Sequence, residues 1–107
     1  IMLTCEANYS NAHGTPWVYS HQKLGKLVGM PVPGTMTSVS WERLQDTSLV
    51  FGIPVIGYRL PDGNYLENTQ LEPDIKVAND PEAIVKGEDT QLKTAVEELL
   101  KELDENK

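Results

Sequence analysis

The sequence predicts an α/β fold built on a strand–helix–strand unit, and three observations support this prediction. The apolar residues 1–5 have the composition of a short strand buried on both faces. Residues 10–24 favour a helix, and residues 26–29 form a second short apolar run after it. Near the end of the chain, apolar residues recur at helical spacing. A strand, a helix and a strand in this order predict a parallel pair with a right-handed crossover.

The first helix is expected over residues 10–24, although it contains a proline. Pro16 fits such a helix only in the first turn, and Thr15-Pro16 could equally be the N-cap and the first helical residue. Gly25 is expected to end the helix. Ser10 then lies at the carboxyl edge of the sheet, where open α/β folds bind their ligands.

The segment after the second strand is too rich in proline to continue in a central strand. Residues 30–35 therefore predict a loop at the same edge of the sheet. Two interpretations of this loop stay open from the residues alone, a wall of a binding site or a rigid connector.

Two alternating segments and a tight turn follow. Residues 37–42 and 49–57 alternate apolar and polar side chains, which predicts antiparallel strands, and Pro54 places the second strand at an edge or a bulge. Residues 61–64 predict a turn in which Gly63 supplies the positive φ. This turn reverses the chain and brings Glu67 back towards the sheet.

The last helix is amphipathic, and Asp89 or Thr90 is its predicted N-cap. We expect its apolar stripe to pack on the sheet. The stripe consists of Leu92, Ala95, Val96, Leu99, Leu100 and Leu103.

Composition limits the classes of partner and cofactor. The chain has 107 residues, enough for one domain, with a net charge of −7 that disfavours binding to nucleic acid or to an anionic membrane surface. No apolar run approaches the roughly twenty residues of a membrane span. With two histidines and only Cys5 as a thiol, we expect no metal site and no cofactor.

Ser10 is the most informative residue, because it follows a predicted buried strand and precedes a helix. A sharp turn there would expose its hydroxyl and direct the N–H of Asn11 towards an oxyanion. The alternative is structural, since a serine at this position commonly accepts a hydrogen bond as a helix N-cap. Both interpretations stay open from these residues alone.

Several runs, taken in order, resemble tricorn-type serine peptidases, which belong to the superfamily of the carboxyl-terminal-processing proteases. Residues 10–17 (SNAHGTPW) and 23–29 (KLGKLVG) resemble the nucleophile helix and the next strand of that family. Residues 60–68 (LPDGNYLEN) and 72–77 (EPDIKV) resemble its late hairpin and Pro-Asp-Ile signature. Residues 87–92 (GEDTQL) open a final helix as the family's last helix often opens.

The resemblance implies a crotonase/ClpP-like core and a set of site residues. Ser10 would be the nucleophile, the N–H of Asn11 would bind the oxyanion, and Glu67 would support the catalytic histidine. The Ser/Lys arrangement of one branch is absent, because Thr35 or a neighbour stands where that branch has its lysine. The loop would contact substrate through Pro33, Gly34 and Thr35.

The resemblance also implies that residues 1–107 are the C-terminal portion of a single serine-peptidase catalytic domain. The family's histidine base comes from an earlier segment, and neither His13 nor His21 stands where the family has it. We expect the isolated chain to be inactive and to bind peptide substrate, its missing N-terminal part, or a second copy of itself. The alternatives are a non-catalytic peptide-binding or scaffolding module and another enzyme of the crotonase-like superfold.

Overall fold

The computed structural model describes residues 1–105 and has a mixed α/β architecture. In chain order, the elements are β1 (Met2–Thr4), α1 (Asn11–His21), β2 (Leu27–Gly29), β3 (Ser38–Arg43), β4 (Val50–Ile56), β5 (Ile75–Lys76), α2 (Pro81–Val85) and α3 (Thr90–Glu105).

A small parallel sheet forms the centre of the fold. Its strand order is β1–β2–β5, with Leu3 opposite Val28 and Val28 opposite Ile75. Leu27 and Val28 are fully buried. The predicted strand–helix–strand unit is therefore present, and its two strands are parallel. β5 was not predicted, because two residues are too few to show an alternating pattern.

Helix α1 contains Pro16 in its interior and not in its first turn as the sequence predicted. An interior proline removes the N–H that would bond the carbonyl four residues earlier, here that of Ala12. Nδ2 of Asn8 donates to this carbonyl oxygen at 2.8 Å. The side chain of Asn8 thus replaces the missing backbone donor, which allows the helix to begin five residues before the proline.

The predicted end of α1 at Gly25 is also wrong. The helix ends at His21, and Lys23 takes the left-handed conformation with φ 53°. The N–H of Leu24 then bonds the carbonyl of Tyr19 at 3.1 Å. A lysine therefore occupies the backbone conformation that glycine usually supplies after a helix.

Strands β3 and β4 form a separate antiparallel hairpin. Trp41 lies opposite Gly52, and a register shift between Ser38 and Val39 forms a bulge near Pro54. This agrees with the predicted edge or bulge position of that proline. Trp41 is 70% exposed and Phe51 is 46% exposed, although both are large apolar residues.

The segment between β4 and β5 returns the chain to the sheet. Gly63 makes the predicted turn with φ 90°, and the N–H of Leu66 bonds the carbonyl of Tyr58 at 2.9 Å. Val32 and Leu71 then pair in an isolated antiparallel bridge. These contacts fix the position of Glu67 next to the loop that follows β2.

Helix α3 packs against β1 and β2. Oδ1 of Asp89 accepts from the N–H of Leu92 at 2.8 Å, so Asp89 caps the helix as predicted. Nζ of Lys26 forms ion pairs with Glu98 at 2.5 Å and Glu102 at 2.9 Å. These ion pairs join α3 to the residue before β2.

Most of the apolar stripe of α3 does not enter the core. Ala95 is buried, whereas Leu92, Val96, Leu99, Leu100 and Leu103 stay exposed. The helix packs on the sheet as expected, but among residues 1–105 the buried member of its stripe is Ala95. Within residues 1–105, no helix has the length and apolar character needed to cross a bilayer.

Helix α2 is a short element that the sequence analysis missed. Oδ1 of Asp80 accepts from the N–H of Glu82 at 3.1 Å, and Pro81 is the first helical residue. Both are ordinary helix-start signals.

We predict that the 107-residue chain self-associates. β1 has only one neighbouring strand in its sheet, and the hairpin exposes Trp41, Phe51 and Ile53. Edge strands and exposed apolar patches recruit other chains. Light scattering over a concentration series should show a rising average mass, and Phe51→Lys combined with Ile53→Lys should reduce it. A monomeric mass at every concentration would contradict this prediction.

Candidate functional site

Ser10 occupies the turn between β1 and α1 in a strained backbone conformation, with φ 55° and ψ −119°. Positive φ is uncommon for a residue other than glycine, and such strain is found preferentially at functional sites. Although Ser10 stands at the N-cap position, its side chain makes no capping hydrogen bond. The structural interpretation of Ser10 as a side-chain cap therefore does not hold. Its hydroxyl is not engaged by the helix.

Asn11 is the first residue of α1, directly after Ser10. Its N–H has no acceptor within the helix, because the first amides of any α-helix lack a partner there. The positive end of the helix dipole lies at the same place. Ser10 Oγ and the Asn11 N–H are thus neighbours at a position that favours negative charge.

Glu67 is held by two donors from the segment before β3. Its Oε2 accepts from the N–H of Met36 at 2.7 Å and from Oγ1 of Thr37 at 2.8 Å. The hydrogen bond from Met36 has the largest effect on the pKa of Glu67 and lowers it from its ordinary value. The hydrogen bond from Thr37 and the nearby His13 lower this pKa further. Glu67 is therefore an ionised carboxylate with one oxygen fixed.

His13 lies one helical turn after Ser10 and is fully buried. Within residues 1–105, neither of its ring nitrogens has a hydrogen-bond partner. Desolvation lowers the pKa of His13, although the Glu67 carboxylate and the Thr35 carbonyl act in the opposite direction. The ring is therefore neutral near pH 7, and it forms no hydrogen bond with the Ser10 hydroxyl.

His21 is far from Ser10, at the last residue of α1. Its ring stacks on Trp17, with ring centroids 4.6 Å apart and an interplanar angle of 14°. Ten residues of α1 separate it from Ser10. Within residues 1–105, His13 thus makes no hydrogen bond to Ser10, and His21 lies at the opposite end of the helix.

Pro33, Gly34 and Thr35 form a loop that packs beside Glu67. The carbonyl of Gly34 accepts from the N–H of Asn68 at 2.6 Å. A Cβ on Gly34 would overlap the backbone of Asn68 and Thr69, so this contact requires glycine. The structure thus brings the loop, His13 and Glu67 together. It makes no hydrogen bond from Ser10 to any of them within residues 1–105.

A cavity of about 540 Å³ opens beside Asn11. Its walls come from α1, β1 and the segments around Met36 and Leu66, and they are mainly apolar. The apolar residues on the wall include Trp17, Val18, Leu24, Met36, Leu60 and Leu66. Arg59 is the charged residue on the wall, counting residues 1–105. A cavity of this size and character suits an apolar side chain of a ligand.

No group of His, Cys, Asp and Glu side chains within residues 1–105 has the arrangement of a metal site. The cavity has Asn11, the first residue of α1, on its wall, and Met36 connects the cavity wall to the Glu67 carboxylate.

The family assignment follows from a comparison with protein-family models. Residues 1–77, which include Ser10, Asn11 and Glu67, match the model described as peptidase family S41. This chain belongs to peptidase family S41. The resemblance stated from the sequence is thereby confirmed, and the family supports a serine-type peptidase.

Two curated relatives of this S41 chain are tricorn-type proteases. The tricorn-like protease C-terminal subunit of Sulfurisphaera tokodaii is 36% identical over 109 residues, which covers 98% of this chain and 13% of that protein. Tricorn protease of Thermoplasma acidophilum is 26% identical over 98 residues, which covers 89% of this chain and 9% of that protein. The chain thus spans about one-tenth of the length of these relatives.

The fold of the S41 chain is also found in a solved structure. The crystal structure of the tricorn protease superposes with a TM-score of 0.84 at 24% identity, over 95% of this chain and 10% of that chain. This similarity shows the shared fold.

The sequence analysis missed three contributors to the site. Asn8 lies two residues before Ser10, and the sequence predicted no role for it. Met36 follows the predicted loop without a predicted role, and Thr37 was predicted only to begin a strand. The useful signal for Asn8 was the interior Pro16, which leaves the Ala12 carbonyl without a backbone donor. No local pattern marks Thr37, because its partner Glu67 lies 30 residues away.

We predict that Thr37→Val weakens the folded state at neutral pH. The folded pKa of Glu67 lies below its ordinary value of 4.5, so its contribution to stability is complete above pH 4.5 and is lost as pH falls through the folded pKa. Loss of the Thr37 hydroxyl should cost roughly 1 kcal/mol. Urea unfolding as a function of pH measures the difference between the wild type and the variant.

The difference should be constant above pH 4.5 and shrink in more acidic solution. Thr47→Val, in the exposed turn of the hairpin, is the matched control and should have little effect. An equal destabilisation by Thr37→Val at all pH values would show that Thr37 does not act through Glu67.

Proposed function

We propose that this chain is the C-terminal portion of the catalytic domain of a serine endopeptidase, with Ser10 as the nucleophile. The observation that carries the proposal is the strained turn at Ser10, whose hydroxyl is not used as a helix cap. We further propose a crotonase/ClpP-like architecture for the complete domain. The family assignment supports peptide bonds as the substrate class.

Ser10 Oγ attacks the carbonyl carbon of the scissile peptide in this mechanism. The hydroxyl proton passes to a base, and the carbonyl oxygen becomes an oxyanion that the N–H of Asn11 stabilises. The C–N bond then breaks, the leaving amine takes up the proton, and water hydrolyses the acyl-enzyme. The base is an imidazole from a segment outside these residues, because His13 is buried and His21 lies at the far end of α1.

Glu67 supports that base indirectly. The N–H of Met36 and the hydroxyl of Thr37 donate to its Oε2 and hold the carboxylate in place. In the proposed mechanism the other oxygen, Oε1, accepts a hydrogen bond from the hydroxyl that orients the imidazole. An ionised carboxylate here also stabilises the imidazolium that forms when the base takes the proton.

The substrate lies along the carboxyl edge of the sheet. Pro33, Gly34 and Thr35 form one wall, which the contact between Gly34 and Asn68 keeps rigid. The apolar cavity beside Asn11 receives a large side chain of the peptide. Peptides with a large apolar residue at the cleaved bond are thus the proposed substrates.

A non-catalytic peptide-binding or scaffolding module is the second candidate. It is favoured by one observation, the lack of any hydrogen bond between Ser10 and a histidine within residues 1–105. The same cavity would then hold a peptide side chain without cleavage.

Ser10 labelling distinguishes these two functions. In the full-length protein that carries this chain, we expect a fluorophosphonate probe to label Ser10, because the probe requires an activated serine. Ser10→Ala should abolish labelling and lower peptide cleavage by about 10⁴ to 10⁶. Mass spectrometry of the labelled peptide identifies the modified residue.

Two controls make this prediction specific. Ser20→Ala and Ser40→Ala should leave labelling intact, and the isolated 107-residue chain should neither be labelled nor cleave unstructured peptides. Cleavage that survives Ser10→Ala would refute the nucleophile assignment. A folded full-length protein without labelling would favour the binding module.

A further inference from the structure

The side chain of Asn8 spans the turn between β1 and α1. Its Oδ1 accepts hydrogen bonds from the backbone N–H of Cys5 at 3.1 Å and from Cys5 Sγ at 3.2 Å. Its Nδ2 donates to the carbonyl of Ala12 at 2.8 Å. Asn8 thus ties the residue after β1 to the first turn of α1, and Ser10 lies within the segment that it bridges.

Pro16 explains why the Ala12 carbonyl is open to a donor from outside the helix. In an uninterrupted helix the N–H of residue 16 would donate to the Ala12 carbonyl, and proline has no such donor. The amide of Asn8 supplies it from outside the helix. Pro16 therefore leaves the Ala12 carbonyl without its backbone donor, and the side-chain amide of Asn8 bonds this carbonyl instead.

The strain at Ser10 requires such support. A residue with φ 55° persists in this conformation only where its surroundings hold it. The backbone contributes four short-range bonds. Asn8 N donates to the Cys5 carbonyl at 3.1 Å, Ala12 N donates to the Tyr9 carbonyl at 3.0 Å, and the N–H groups of His13 and Gly14 donate to the Ser10 carbonyl at 2.8 and 3.2 Å. Within residues 1–105, the side chain of Asn8 is the one that bonds both Cys5, before the turn, and Ala12, after it.

We propose that Asn8 is a positioning residue that holds Ser10 in its strained conformation through the hydrogen bond from Nδ2 to the Ala12 carbonyl. Asn8 does not contact the reacting atoms and acts through the backbone of the turn. This inference rests on the proposed role of Ser10 as a nucleophile.

The test is a double-mutant cycle between Asn8→Asp and Pro16→Ala in the full-length protein. Asn8→Asp keeps the shape and the Oδ1 acceptor but removes the donor to Ala12. Pro16→Ala returns a backbone N–H to the Ala12 carbonyl. We expect Asn8→Asp to lower kcat and the rate of fluorophosphonate labelling by about tenfold with little change in KM.

In the Pro16→Ala background, Asn8→Asp should lower kcat and the labelling rate by less than about threefold, because a backbone N–H already bonds the Ala12 carbonyl. Asn64→Asp is the matched control, since it removes an amide donor that bonds Asp62 at 3.0 Å in an exposed turn. It should leave kcat and labelling unchanged.

Each other outcome overturns the role of Asn8. An equal loss in both backgrounds would show that the bond to Ala12 is not the cause. A lower melting temperature without a change in kcat or labelling would show a purely structural role. If wild-type protein is neither labelled at Ser10 nor active, the proposed function fails and the role of Asn8 fails with it. If Ser10 is labelled but the effect of Asn8→Asp is the same with and without Pro16, the role of Asn8 fails and the proposed function stands.

Discussion

The sharp turn between β1 and α1 is the constraint on which the rest of the site depends. Because β1 and β2 are parallel, the chain must leave β1 and reverse direction before it can enter α1. It does so within a few residues, and Ser10 takes the positive φ that this reversal demands. Asn11, the first residue of the helix, follows directly. One backbone feature thus belongs both to the fold of the unit and to the proposed site.

A second hydrogen-bonded unit joins the loop after β2 to the segment around Glu67. Gly34 packs on Asn68, and Met36 and Thr37 bind the carboxylate of Glu67. Met36 also contributes its side chain to the apolar cavity. The wall of the cavity and the anchor of Glu67 are therefore the same short segment. In the proposed function, substrate binding and support of the base would therefore share this segment.

Sequence reasoning predicted the parallel unit, the hairpin, the turn at Gly63 and the cap at Asp89, because local chemistry determines each of them. It failed where a distant contact decides the outcome. Pro16 lies inside α1, where the side-chain amide of Asn8 bonds the carbonyl that the proline leaves without a donor. Thr37 holds the carboxylate of Glu67, which lies 30 residues away in the sequence. The family was also predictable, because its motifs occur in order along the chain. The geometry of the site depends on contacts that no local pattern shows.

The most direct test is a crystal structure of the full-length protein inactivated by a peptidyl phosphonate that carries a phenylalanine side chain. We expect a covalent bond from phosphorus to Ser10 Oγ, with the phosphoryl oxygen within hydrogen-bond distance of the Asn11 N–H. The phenyl ring should lie in the cavity between Trp17 and Met36. A phosphonate bound to another residue, or a phosphoryl oxygen directed away from Asn11, would contradict the proposed site.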